Sequence, residues 1–101
     1  MEVKELVKII HDFAKERDWI KYHNGKDLAI SICLEASELL ENFQWISNEE
    51  AYAKNMQNIK EELADVLIYC FRFADEHGFD LEEIILEKLK KNAIKYPIKK
   101  D

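Results

Sequence analysis

Two pairs of acidic residues with the same short spacing could do chemistry in this 101-residue sequence: Glu35 with Glu38, and Glu62 with Asp65. Residues three apart lie on one side of an α-helix. At ~100° per residue, Glu62 falls inside the apolar arc of its helix and Asp65 lies one turn later on the same flank. A carboxylate that faces a core is costly unless it is paired or neutralised. Four converging carboxylates would repel one another, so we expect a divalent cation, and an all-oxygen ligand set favours Mg²⁺ or Mn²⁺.

The spacing alone does not establish a metal site. Glu-x-x-Glu also occurs at Glu2/Glu5 and at Glu38/Glu41, and such pairs commonly form solvated helix faces. The Glu-x-x-His pairs of di-iron bundles are absent from the sequence. Zinc would need His or Cys ligands at close spacing, and the three histidines are scattered at His11, His23 and His77.

A second set of polar groups lies near the C-terminus. Lys88 and Asn92 fall within the apolar stripe of the last predicted helix. One interpretation is that Lys88 only snorkels, with its stem on the core and its head in water. The other is that a cation and an amide point at a bound phosphate or sugar. Four aromatic residues could stack on a base, although each could equally belong to the core: Trp19, Tyr22, Trp45 and Tyr69.

The remaining sequence predicts the helices that would carry these groups. Gly 2 and Pro 1 are too few for a turn-rich β-fold, and apolar residues recur at helical spacing. We therefore expect an all-α fold, a four-helix bundle in a single domain over residues 1–101. The predicted helices run from about Val3 to Arg17, from an N-cap at Asp27 to about Trp45, from a capping box at Ser47–Glu50 to His77 with a possible break at Asn55–Asn58, and from Asp80 to Tyr96, ahead of Pro97.

Charge and hydropathy restrict the partners and the location. The formal net charge of −6 argues against duplex nucleic acid as the main partner. No apolar run approaches the ~18 residues of a membrane span, and the first residues do not resemble a signal peptide. Cys33 and Cys70 form no CxxC pair, which predicts two buried thiols in a reducing cytoplasm.

Three segments, taken in order, resemble the MazG-like branch of the all-α nucleoside triphosphate pyrophosphohydrolases. They are Leu34–Trp45 (LEASELLENFQW), Glu61–Tyr69 (EELADVLIY), and Lys88–Pro97, which contains Asn92 and Tyr96-Pro97. The family pattern is Glu-x-x-Glu, a variable gap, and then Glu-x-x-Asp. The short single-domain form is most similar to the dCTP pyrophosphatase type, which Phe13–Trp19 and Tyr22-His23 also resemble.

This resemblance implies a function and a set of site residues. Glu35, Glu38, Glu62 and Asp65 would hold Mg²⁺, and a (deoxy)nucleoside triphosphate would be hydrolysed to the monophosphate and pyrophosphate. As a hypothesis beyond the resemblance, one of the four acids would help to deprotonate the attacking water, for which we select Glu38, and replacing Glu62 with Gln would abolish turnover. A homodimer or homotetramer is implied, with the site walled partly by a neighbouring subunit. The positions expected to surround the nucleotide are Trp19, His23, Trp45, Tyr69, Lys88, Asn92 and Tyr96.

Two alternatives remain open from the residues. The chain could be a non-catalytic helical interaction module whose carboxylates are only solvated surface. It could also be a different metal-dependent phosphohydrolase, because His11-Asp12 is similar to the ligand doublet of the HD superfamily. The further His and Asp ligands of that superfamily are not evident in the sequence.

Overall fold

The computed structural model describes residues 1–99, and none of these residues belongs to a β-strand. Four α-helices follow one another along the chain, with a single turn of 3₁₀-helix, Ile20–Tyr22, between the first two. The α-helices are α1 (Val3–Glu16), α2 (Gly25–Glu41), α3 (Asn48–His77) and α4 (Leu81–Lys95). The predicted all-α fold with four helices is therefore confirmed. Residues 100 and 101 of the predicted domain lie outside the described residues.

Both ends of α2 differ from the sequence prediction. The helix is capped by Asn24, whose side-chain oxygen accepts a hydrogen bond from the Asp27 backbone N–H at 2.9 Å. The prediction of Asp27 as the N-cap was therefore wrong, because α2 begins earlier and Asp27 lies in its first turn, where its free backbone N–H is the group that Asn24 caps. The helix also ends at Glu41 and not near Trp45, since the chain turns through residues 42–46.

Of the two hydrogen bonds that form the capping box predicted at the start of α3, the first is present. The Ser47 hydroxyl accepts a hydrogen bond from the Glu50 backbone N–H at 3.2 Å. The Glu50 side chain points elsewhere, toward Lys54 at 3.5 Å.

The predicted break near Asn55–Asn58 is absent, and α3 is continuous. Both asparagine side chains point across to the turn after α2 and so do not compete for the backbone of their own helix. Asn55 donates to the backbone oxygen of Asn42 at 2.8 Å, and Asn58 donates to the Asn42 side-chain oxygen at 2.7 Å.

The connection from α3 to α4 follows the prediction. Gly78 adopts a left-handed conformation, with φ of 68°, which ends α3 without steric strain. The Asp80 side chain accepts a hydrogen bond from the Glu83 N–H at 3.1 Å and caps α4. The helix ends at Lys95, one residue before Tyr96 and two before Pro97.

Three of the four helices pack together, and the fourth largely stands apart. α2 packs along α3 as a helical hairpin, and α1 packs against α3. α4 packs only weakly against the other helices, and its N-cap residue Asp80 lies 3.9 Å from Lys4. The predicted four-helix bundle is thus only partly formed within one chain, because little covers the apolar face of α4.

The buried core is small for the number of apolar residues. The fully buried apolar side chains are Ala14, Leu28, Ala51 and Ala74. The Cα radius of gyration is 16.7 Å, compared with about 13 Å for a compact domain of this length. The large apolar side chains that remain exposed on or just after α4 include Ile85, Leu86, Leu89, Ile94, Tyr96 and Ile98. An apolar surface of this extent is typical of a protein–protein contact.

Two smaller findings complete the fold. Both cysteines are free thiols, but Cys33 is exposed and Cys70 is only half-buried, so the prediction of two buried thiols was wrong. Of the helices within residues 1–99, none is both long enough and apolar enough to cross a bilayer.

Candidate functional site

A cluster of three carboxylates lies between α2 and α3. Glu35 on α2 and Glu62 and Asp65 on α3 each place one carboxylate oxygen within 4.8 Å of the other two. The register of the helical hairpin produces this arrangement, because Glu62 and Asp65 share the side of α3 that faces α2. All three side chains are partly buried.

Two oxygens of this carboxylate cluster are buried without any hydrogen-bond partner. They are Oε2 of Glu35 and Oε2 of Glu62. An unpaired buried carboxylate oxygen is unfavourable. Burial is the largest cause that raises the pKa of Glu35 to about 6, followed by the adjacent Glu38 carboxyl group and by the charges of Asp65 and Glu62. Burial and the neighbouring Glu38 likewise raise the pKa of Glu62.

Glu38 lies beside the cluster and not within it. Its proximity raises the pKa of both Glu35 and Glu62, because adjacent carboxyl groups favour holding a proton between them and repel each other when both are ionised. Its own side chain is exposed to solvent. Of the four predicted acids, three therefore converge and the fourth lies at the solvent side of the group.

The donor set fits a hard divalent cation. The three clustered groups offer only oxygen, which suits Mg²⁺ or Mn²⁺ better than zinc or copper. A cation would also partner the two buried oxygens and offset both the loss of hydration and the repulsion that raise the two pKa values. The arrangement is therefore a possible metal-binding cluster.

A cavity of about 440 Å³ opens next to the carboxylates. Its volume falls within the range of about 300–1,000 Å³ common for small-molecule sites. Glu35 and Asp65 lie in its wall, so the cavity joins the carboxylate cluster directly. The rest of the wall is mostly apolar and aromatic, formed by Ile10, Phe13, Ala14, Trp19, His23, Ile68, Tyr69 and Arg72.

The end of α1 directs Trp19 into this cavity. Asp18 has a positive φ of 59°, and the N–H groups of Asp18 and Trp19 bond back to the carbonyls of Lys15 and Ala14 at 3.0 Å each. This pairing is a Schellman motif, which commonly brings the residue after the left-handed position onto the last turns of the helix. Trp19 accordingly packs edge-on against Phe13, with ring centroids 5.8 Å apart.

Tyr69 and His23 add two further polar groups to the wall of the cavity. Burial, and then the negative charges of Glu35, Asp65 and Glu38, raise the pKa of Tyr69, which keeps its hydroxyl protonated as a hydrogen-bond donor. Burial and then the charge of Arg72 lower the pKa of His23, against an opposing effect of Glu76. The two rings meet edge-on with centroids 6.5 Å apart.

Four predicted substrate-binding residues are not part of this cavity. Trp45 is 92% exposed, in the turn after α2, and has a positive φ of 69° that is unusual for a bulky residue. Lys88 and Tyr96 are exposed on and just after α4, and Asn92 is half-buried. The single chain therefore brings together Trp19, His23 and Tyr69 with three of the acids, and it leaves the residues of α4 apart.

Arg72 lines the cavity and was missed by the sequence analysis. It is a charged residue with an exposed fraction of only 1%. Its guanidinium contacts His23, Asp75 and Glu76. Its position within the apolar run from Ile68 to Ala74 was the available signal, because a charge in such a run must find partners.

The His11-Asp12 doublet does not join the carboxylate cluster. His11 Nδ1 lies 2.7 Å from a carboxylate oxygen of Asp75, and Asp12 pairs with Lys8 at 3.0 Å. The two side chains therefore have different partners, as residues adjacent on a helix normally do. The structure gives no support to the HD-type alternative among residues 1–99.

Comparisons with known proteins agree with the resemblance seen in the sequence. Residues 30–101 match the model of the MazG-like family. The dCTP pyrophosphatase 1 proteins of Rattus norvegicus and Mus musculus are each 33% identical over 101 residues, which covers 95% of this chain. The human dCTP pyrophosphatase 1 is 32% identical over 100 residues. The chain spans only 59% of the length of these relatives.

A solved structure supports the same assignment. The crystal structure of a pyrophosphatase from Archaeoglobus fulgidus superposes with a TM-score of 0.87 and 40% sequence identity, covering 94% of this chain and 92% of that one. The family match covers residues 30–101, which is most of the sequence, and this range includes both acidic pairs. On this evidence of sequence and fold together, the chain belongs to the MazG-like family.

Proposed function

We propose that this chain is a Mg²⁺-dependent nucleoside triphosphate pyrophosphohydrolase, folded as one MazG-like domain. The observation that carries the proposal is the convergence of Glu35, Glu62 and Asp65 within 4.8 Å of one another, beside a cavity of nucleotide size. The family of the chain and the names of its relatives support the same activity. The substrate would be a (deoxy)nucleoside triphosphate, with dCTP and modified nucleotides the first to test.

Glu35, Glu62 and Asp65 would hold the Mg²⁺ ion, with Glu38 at the solvent side of the group. A bound Mg²⁺ ion neutralises and orients the triphosphate. Because Glu38 is exposed yet adjacent to the cluster, we assign it the orientation of the attacking water. The water oxygen bonds to the α-phosphorus, its proton passes to Glu38, and the bond from the α-phosphorus to the bridging oxygen breaks, so that pyrophosphate leaves.

The apolar cavity would hold the nucleoside. Trp19 and Tyr69 offer flat faces for a base, and His23 and the Tyr69 hydroxyl offer polar contacts. Exclusion of bulk water by these walls strengthens the electrostatic interactions with the reacting phosphate.

Lys88, Asn92 and Tyr96 would reach the nucleotide from a neighbouring subunit of a homodimer or homotetramer. This part of the proposal follows from the uncovered apolar face of α4 and from its weak packing against the other helices of its own chain. Lys88 would stabilise the charge of the departing pyrophosphate. The predicted cytoplasmic location and the predicted lack of binding to duplex nucleic acid remain predictions.

The test is a pyrophosphate-release assay over a panel of ribo-, deoxyribo- and modified triphosphates, with Mg²⁺ and with EDTA. We expect equal amounts of monophosphate and pyrophosphate from a small group of substrates, and none in EDTA. Release of orthophosphate in place of pyrophosphate would assign a different phosphohydrolase reaction. Inactivity of folded protein across the panel, combined with the same melting temperature in Mg²⁺ and EDTA, would favour a non-catalytic interaction module.

A further inference from the structure

Arg72 sits at the centre of a buried polar network that the proposed mechanism does not use. Its guanidinium has an exposed fraction of 2%. The Nε–H group donates to Nδ1 of His23 at 3.1 Å, and one terminal nitrogen donates to Glu76 at 3.1 Å. The other terminal nitrogen donates to Asp75. The network therefore connects α3 with the segment that precedes α2.

The contact with Arg72 determines which nitrogen of His23 carries the proton. An arginine Nε–H can only donate, so Nδ1 of His23 must accept and cannot carry hydrogen. The proton of the neutral ring is then on Nε2. Burial and the Arg72 charge, which lower the pKa of His23, keep the ring in this neutral form.

The other two histidines have the opposite arrangement. His11 Nδ1 lies 2.7 Å from an Asp75 carboxylate oxygen, and His77 Nδ1 lies 2.7 Å from the Phe73 carbonyl oxygen. Both partners only accept, so each of these Nδ1 atoms must donate. The contact of Arg72 with His11 Nδ1, at 3.3 Å, is longer and does not alter this assignment. His23 is thus distinguished from both by its tautomer.

His23 belongs to the wall of the cavity. His23 and Arg72 both line the cavity, together with Trp19 and Tyr69. Nδ1 is occupied by Arg72, and Nε2 has no hydrogen-bond partner among residues 1–99. We propose that Arg72 is a positioning residue that fixes His23 as the Nε2–H tautomer, so that the cavity offers a donor to an acceptor atom of the bound nucleoside, such as a base carbonyl oxygen or an unprotonated ring nitrogen.

This inference rests on the proposed function only for the identity of the ligand. The tautomer itself can be measured without any ligand. In ¹⁵N-labelled wild-type protein at slightly alkaline pH, long-range ¹H–¹⁵N correlation spectra report which ring nitrogen of each histidine is protonated. We expect protonated Nε2 in His23 and protonated Nδ1 in His11 and His77. A protonated Nδ1 in His23, or a rapidly exchanging mixture, would overturn the proposal whether or not the protein turns over a nucleotide.

The variant Arg72→Lys tests the positioning role. Lysine keeps the positive charge next to Asp75 and Glu76 but lacks the planar fork that reaches several partners at once. We expect a mixed His23 tautomer and a KM for the triphosphate raised about three- to tenfold, as loss of one oriented hydrogen bond implies, with little change in kcat. A purely structural role would lower stability and leave the tautomer unchanged, which would refute the proposal.

A pair of variants at His23 covers the case in which Arg72→Lys does not fold. Gln in place of His23 puts an amide nitrogen near the position of Nε2, whereas Asn puts one near the position of Nδ1. We expect His23→Gln to bind the substrate more tightly than His23→Asn, because only Gln restores a donor toward the cavity. Equal KM values, or a lower KM for His23→Asn, would contradict the assigned donor.

Discussion

Glu35 and Glu62 face each other across the α2–α3 hairpin, and each buries one carboxylate oxygen that has no hydrogen-bond partner. Two acids in this position destabilise the metal-free protein, since both lose hydration and each repels the other. The same arrangement is favourable when a divalent cation neutralises both groups. The unfavourable free energy in the metal-free protein therefore arises at the carboxylates themselves and not from the packing of the α2–α3 hairpin as a whole.

The stability of the metal-free protein should fall as the pH rises through the titration of Glu35. Its folded-state pKa is about 6, above the ordinary value of 4.5. Between these values the folded protein binds more protons than the unfolded chain, so the stabilising contribution of this group is complete below about 4.5 and is lost as the pH rises through about 6. Thermal unfolding in EDTA across this range measures the effect.

The control for this prediction is Glu35→Gln, which cannot titrate at this position. The difference in melting temperature between wild type and variant should change over the same pH range and then become constant. Mg²⁺ should stabilise the wild type more at neutral pH than at acidic pH, because protons and the cation compete for the same carboxylates. Stabilisation by Mg²⁺ that does not depend on pH would count against a metal site at Glu35.

Asn42 should contribute strongly to stability because it connects the end of α2 to α3. It is 5% exposed, and its side-chain oxygen accepts a hydrogen bond from Asn58 at 2.7 Å. Asn42→Ala leaves the Asn58 donor unpaired, which should cost about 2 kcal/mol. Urea unfolding at a fixed protein concentration measures this, and a double-mutant cycle with Asn58→Ala isolates the pair. Strictly additive effects of the two variants would show that the contact contributes nothing.

A site shared between subunits predicts complementation between two inactive variants. Glu62→Gln removes part of the acidic cluster, and Lys88→Ala removes the proposed cation of the neighbour. If Lys88 acts across the subunit interface, a mixed oligomer contains one site with both wild-type groups, so co-refolded variants should recover activity that neither has alone. If Lys88 acts within its own chain, every site of the mixture lacks one group and the mixture stays inactive.

The sequence predicted the acidic site better than it predicted the packing of the helices. Helical periodicity placed Glu62 in an apolar arc, and its oxygen is indeed buried between α2 and α3. The same argument put Lys88 and Asn92 on an apolar stripe, yet α4 is largely uncovered in the single chain. Periodicity shows that one face of a helix is apolar, but it does not show which element covers that face.

The network around Arg72 could not be predicted because its members are far apart in sequence. Arg72 and His23 are 49 positions apart, and Arg72 and His11 are 61 apart. Helical wheels relate residues only within one element. The end of α2 was missed for a similar reason, since Asn42 is held there by Asn55 and Asn58 of the next helix.

The most direct test of the proposed metal site compares two neighbouring glutamates. Glu62 belongs to the carboxylate cluster, whereas its neighbour Glu61 is exposed and is not a member of the cluster. With saturating Mg²⁺ and the best triphosphate of the panel, Glu62→Gln should reduce kcat on the order of 100-fold or more. Glu61→Gln should keep wild-type turnover, and circular dichroism should show both variants folded. Near-normal turnover by folded Glu62→Gln would contradict a catalytic carboxylate cluster.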